Sequence, residues 1–190
     1  MNEERVIVAF FTGQSDPRTN ALSPLQLGFL DRSPVSPEQR LDLNFPYRPA
    51  AAWRETNLLL ASFSNARQYL ASRRPSFVER HRLSFQETFV SAGKVILLAG
   101  SCGLELLVNL GLPEQDLRRL HVFAYGPVSR SLPRCASLET VQGKRDAISR
   151  WWHPQVDHVI SCGHMDYLEA EETMALFSAF HRRVTGGGEP

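Results

Sequence analysis

Three residue types that together carry out acyl transfer stand in this chain at Ser101, Asp146 and His164. A serine hydroxyl is a poor nucleophile at neutral pH and needs a base within hydrogen-bond reach. Histidine titrates near neutrality and can take, then return, that proton. A carboxylate fixes the imidazole tautomer and stabilises the imidazolium. Such a set has meaning only if its surroundings deliver all three side chains to one place.

The surroundings of Ser101 are the most specific. In Lys94-Val-Ile-Leu-Leu-Ala-Gly-Ser-Cys-Gly-Leu-Glu-Leu-Leu107 an apolar run, 95–98, reads as a buried strand. A turn of small residues, 99–103, follows, and then Leu104, Leu106, Leu107 and Leu110 open a helical pattern. A serine on so tight a strand-to-helix turn is lifted out of the sheet on a strained backbone. Small residues at Ala99 and Gly103 let strand and helix pass closely. The backbone N–H of Cys102 then faces any oxyanion formed at the serine, joined by one from the loop Thr12-Gly13-Gln14, with Gln14 best placed. Thr12, and Arg130 and Arg134 in the loop after 125, are candidates for substrate contact, although solvated charge is the simpler reading of the two arginines.

Other readings stand beside this one. A small-x-Ser-x-Gly string also suits a plain turn or a phosphate cradle. Cys102 is a rival nucleophile, but it would put Leu104 where the turn needs a small residue. Asp146 also suits the N-cap of a helix over 147–152, a role compatible with orienting a histidine. Asp157 and Asp166 are rival acids, Asp166 lying very near His164 in sequence. His81, His121, His153, His158 and His181 fall inside elements or away from the expected loops, where structural roles are expected. Cys162 reads as a strand-end core residue, and Trp53, Phe63 and Tyr69 read as core rather than pocket.

The elements that must position these residues alternate along the chain. Strands are expected at 6–11, 41–45, 95–98, 120–125, 138–142 and 156–162. Helices are expected at 22–30 with Ser23 as N-cap and Pro24 in the first turn, over 50–72, from 104, and over 169–184. Pro75 interrupts the long pattern, and 77–92 carries mixed helical signals. Such alternation implies one α/β domain, 1–185, with a mainly parallel sheet of about six strands, helices on both faces and a flexible tail, 186–190. Ligands then bind at the carboxyl ends of the strands, where the loops bearing Thr12, Ser101, Asp146 and His164 lie.

The pattern resembles the α/β-hydrolase superfamily. Val95-Ile-Leu-Leu-Ala-Gly-Ser-Cys-Gly103 resembles its nucleophile turn, Val141-Gln-Gly-Lys-Arg-Asp146 its acid loop, and Gly163-His-Met-Asp166 its histidine loop. The resemblance implies a three-layer sandwich in which Ser101, Asp146 and His164 form the triad. Three departures matter: the first two strands of the family have no counterpart, Thr12-Gly13 stands where the family often has His-Gly, and only a short loop joins 125 to 138 where a lid is often inserted. A small site with little lid is implied, unless 46–92 folds over it.

Composition bounds the rest. The 190 residues carry a net charge of +1, with 43% hydrophobic and 22% charged residues, as in an ordinary globular domain with no general affinity for nucleic acid. No apolar run is long enough to span a bilayer, and the acidic N-terminus is no signal peptide. The three cysteines, Cys102, Cys135 and Cys162, lack metal-site or disulfide spacing, which suits a reducing cytoplasm and a site without metal or other cofactor. The expected partner is a small-molecule or carrier-bound acyl substrate, with neither nucleic acid nor membrane. Two classes stay open: a serine hydrolase acting on an ester or thioester, and a non-catalytic binding or scaffold protein of the same fold.

Overall fold

In the computed structural model, residues 5–14, 18–47, 53 and 58–186 are described, with 58–63 described by their backbone alone. The apolar runs become six strands: β1 (Val6–Thr12), β2 (Arg40–Asn44), β3 (Lys94–Gly100), β4 (Leu120–Tyr125), β5 (Ser137–Gly143) and β6 (His158–Ile160). They form one sheet in the order β2-β1-β3-β4-β5-β6, and every neighbouring pair is parallel. The last strand is shorter than the apolar pattern suggests. Only His158–Ile160 pairs with β5, because the chain bends away at Cys162.

The helices are α1 (Pro24–Arg32), α2 (Leu58–Ala71), α3 (Pro75–Thr88), α4 (Gly103–Asn109), α5 (Glu114–Leu117), α6 (Ala147–Trp152) and α7 (Glu171–Thr185). Their ends follow the sequence signals. Ser23 caps α1 in a reciprocal arrangement with Gln26, Pro75 opens α3, and Gly186 at φ 75° closes α7. Residues 50–52 and 54–57 of the long helical pattern, and 187–190 of the expected tail, lie outside the described residues, as does the side chain of Phe63.

Two buried layers sandwich the sheet. On one face Ile7, Ala9, Phe11, Leu97 and Val122 meet Phe85 of α3, Phe89 at its C-cap, and Leu104 and Leu107 of α4. On the other Val8, Phe10, Ile96, Leu98 and Phe123 meet Phe29 of α1 and Phe177 and Phe180 of α7. Alternate residues of one strand thus feed opposite cores, so the central strands read as continuous apolar runs. The chain leaves β1 toward β2 on one side, and β3 takes the other side. That switch point opens a crevice above the ends of β1 and β3, where Thr12 and Ser101 lie. No helix among the described residues is long and apolar enough to cross a membrane.

Candidate active site

Ser101 follows β3 directly and has φ 50°, a left-handed value that a non-glycine residue adopts only when its surroundings impose it. Its N–H donates to the Tyr125 carbonyl and its own carbonyl accepts from Val128, which ties the turn to the end of β4. Gly103 makes the turn possible: a Cβ there would lie 1.8 Å from the Phe11 carbonyl oxygen. Gly100 is equally constrained, since a Cβ would meet the Tyr125 ring at 2.5 Å. Close approach at these two glycines is what lets β3 run straight into α4.

The other two residues arrive from the ends of β5 and β6. Ser101 Oγ lies 3.2 Å from His164 Nε2, and His164 Nδ1 lies 2.8 Å from Asp146 Oδ2. Asp146 is 1% exposed and is also the N-cap of α6, accepting the Ser149 N–H on Oδ1 at 2.9 Å. One carboxylate oxygen thus caps α6 while the other faces His164. Oδ2 takes a further bond from the Tyr167 hydroxyl at 2.7 Å, and that hydroxyl accepts the Gly143 N–H at 2.7 Å. Burial disfavours the charged carboxyl, but the bonds from His164, Ser149 and Tyr167 outweigh it and hold its pKa below the ordinary value. An ionised Asp146 is acceptor-only, so Nδ1 carries the proton and Nε2 accepts from Ser101. Tyr167, buried and three residues after His164, was not singled out by the sequence; its place in the same loop as the histidine is the one signal it offers.

The rival residues are engaged elsewhere. Asp166 accepts the Gly163 N–H at 2.9 Å and lies 3.8 Å from Arg145, while Asp157 accepts both the N–H and the hydroxyl of Thr140. The Cys102 thiol is buried, which pushes its pKa up to about 11 and leaves it protonated at neutral pH. His121, His153 and His158 bond Ser137, Ser129 and Glu139, and His181 is buried in α7.

Three expectations are corrected. The Gln14 N–H donates to Gln68 Oε1 at 2.9 Å, while Gln68 Nε2 and Ser64 Oγ donate to the Gln14 carbonyl at 2.9 and 2.7 Å. A carboxamide from α2 thus clamps both backbone polar groups of Gln14, and its backbone amide is not directed at Ser101. Arg130 does not reach the site. Its backbone N–H and guanidinium bind Glu105 of α4, at 2.9 and 3.0 Å, because that carboxylate is 1% exposed and requires cationic partners. Arg134, by contrast, is an exposed charge outside the cavity lining, as the simpler reading of that residue had it. Trp53 and Tyr69 are not core: both line the cavity, and Trp53 is 38% exposed. Thr12 does line it, with its N–H held by Asn44 Oδ1.

The sequence also gave no role to Gln68 and Glu105. Each carried a signal: Ser64 and Gln68 are polar at i and i+4 of an amphipathic helix, and Glu105 is a lone acid in a leucine run.

The cavity above Ser101 has a volume of about 550 Å³. Asn65, Ala66 and Tyr69 show that α2 forms one wall, so the segment covering the site precedes β3 rather than following β4. No cluster of three or more His, Cys, Asp or Glu side chains suited to a metal exists among the described residues.

No protein-family model matches the chain, and no curated protein is similar to it in sequence. Among solved structures, the crystal structure of esterase PE8 is similar over 95% of this chain and 93% of that one, with a TM-score of 0.51 and 14% sequence identity. At that identity the likeness concerns architecture alone: this chain's six-stranded parallel sheet with helices on both faces belongs to an α/β fold like that of the esterase structure.

Proposed function

We propose that this protein is a serine hydrolase that cleaves an ester or thioester through an acyl-enzyme. The observation that carries the reading is the relay Ser101 Oγ, His164 Nε2, His164 Nδ1, Asp146 Oδ2, with separations of 3.2 and 2.8 Å and a buried, ionised acid at its end.

In this mechanism His164 Nε2 accepts the hydroxyl proton as Ser101 Oγ forms a bond to the acyl carbon. Asp146 holds the tautomer and stabilises the imidazolium. The negative oxygen of the tetrahedral species faces the Cys102 N–H at the N-cap of α4. The imidazolium then gives its proton to the leaving alkoxide or thiolate as the carbon–heteroatom bond breaks. Water, deprotonated by His164, attacks the acyl-enzyme, and the imidazolium returns that proton to Ser101 Oγ as the acyl carbon–Oγ bond breaks and the acid leaves.

A fluorophosphonate probe tests the reading, because it bonds only to an activated serine. Wild-type protein is expected to be labelled at Ser101, and Ser101→Ala is expected to be neither labelled nor active, a loss on the order of 10⁶ in turnover. Ser101→Ala removes one half-buried hydroxyl and no core volume, so its unfolding midpoint should hardly move. Absence of labelling in folded wild-type protein would favour a non-catalytic binding protein on the same fold.

A further inference from the structure

The cavity at Ser101 has a chemical character that narrows the acyl group. Its walls contain Leu25, Tyr69, Val128, Ile148, Trp152 and Met165. The Tyr69 and Trp152 rings lie 5.6 Å apart and make a continuous aromatic surface between α2 and α6. Among the described residues the lining includes no Lys, Arg, Asp or Glu. Two arginines beside that wall are committed to another carboxylate. Arg73 packs over the Tyr69 ring at 4.4 Å and, with Arg130, bonds Glu105 at 3.3 and 3.0 Å. Burial opposes the charge on Glu105, but the bonds from Arg130 and Asn109 lower its pKa, so it stays ionised and keeps both guanidiniums.

We propose that the site selects an uncharged, apolar acyl chain packed against Tyr69 and Trp152, and rejects acyl groups that carry a carboxylate. This rests on the serine-hydrolase reading above. An apolar chain gains from leaving water along its whole length. A chain-borne carboxylate would be desolvated there with no lysine or arginine in the described lining to meet it, and the Arg73 and Arg130 guanidiniums can reach it only by abandoning Glu105, itself buried. A pocket of this size takes a medium-length alkyl or an aromatic acyl group without rearrangement.

The test uses one leaving group and varies the acyl chain: p-nitrophenyl acetate, butyrate, octanoate and hemisuccinate on the whole chain. The kcat/KM is expected to rise about three- to fourfold per methylene from acetate to butyrate and to stay high at octanoate. The hemisuccinate, close to butyrate in size, is expected to fall roughly a hundredfold below it. Trp152→Ala should lose more on octanoate than on acetate. The wild-type series decides the matter even if that variant does not fold. Fluorophosphonate labelling of Ser101 is measured in parallel, to separate the two claims. Labelling with hemisuccinate at or above butyrate, with acetate best, or with no ester turned over, overturns the proposal and leaves the activated serine intact. Absence of labelling removes the hydrolase reading itself.

Discussion

The two ends of the site are built differently. On the acid side, Asp146 and His164 sit in turns at the ends of β5 and β6, and the acid is held by a backbone N–H, an imidazole and a buried tyrosine. On the other side, the loop after β1 is held by side chains of a helix: Gln68 and Ser64 of α2 take both backbone polar groups of Gln14. Strand ends fix their loops through the sheet, whose register is set by a row of paired neighbours. A side-chain clamp depends on one helix staying docked. The first construction gives a rigid relay and the second gives a wall whose position follows the packing of α2.

The strongest way to break this comparison is at the acid. Asp146→Asn should keep the fold, because an amide oxygen can still cap α6, but it favours the wrong histidine tautomer. Turnover is expected to fall by up to about 10⁴. Near-normal turnover would show that the rigid side does not carry the chemistry.

Next in size is the clamp. Gln68→Leu removes three hydrogen bonds, two with Gln14 and one with Ser64, each contributing about 1 kcal/mol, so a stability loss of about 2–3 kcal/mol is expected by urea unfolding. Labelling of Ser101 should persist, since the relay lies on the other side. Undiminished stability, or a loss of turnover like that of Asp146→Asn, would erase the distinction.

A smaller effect reports on Tyr167. The Asp146 pKa lies below its ordinary 3.8 in the folded protein, so ionised Asp146 contributes stability above that pH. That contribution is lost as the pH falls through the folded value. Tyr167→Phe removes one of the bonds that lower the pKa, so the folded value moves back toward 3.8. The variant should therefore show a smaller acid-induced drop in urea midpoint than the wild type below about pH 4. An equal drop would mean that the hydroxyl does not act on the carboxylate.

The smallest expected signal is at the neighbour of the nucleophile. With a pKa of about 11, Cys102 should resist iodoacetamide at pH 8 while Ser101 takes the fluorophosphonate. Rapid alkylation of Cys102 would reopen the question of which residue is the nucleophile.

The α/β class, five of the six strands nearly to the residue, and the turn bearing Ser101 were legible along the chain. These are local matters: apolar runs, breakers and small residues act over a few positions. The sequence also placed Asp146 and His164 at strand ends, because a parallel sheet collects those ends on one side. Tertiary structure alone decided the occupancy of the Gln14 amide, the partner of Arg130 and the second support of Asp146. Those bonds join residues 54, 25 and 21 positions apart. A hydrogen bond is satisfied by whichever donor or acceptor packing brings near. Spacing along the chain carries no record of that choice once helices on different layers supply the partner.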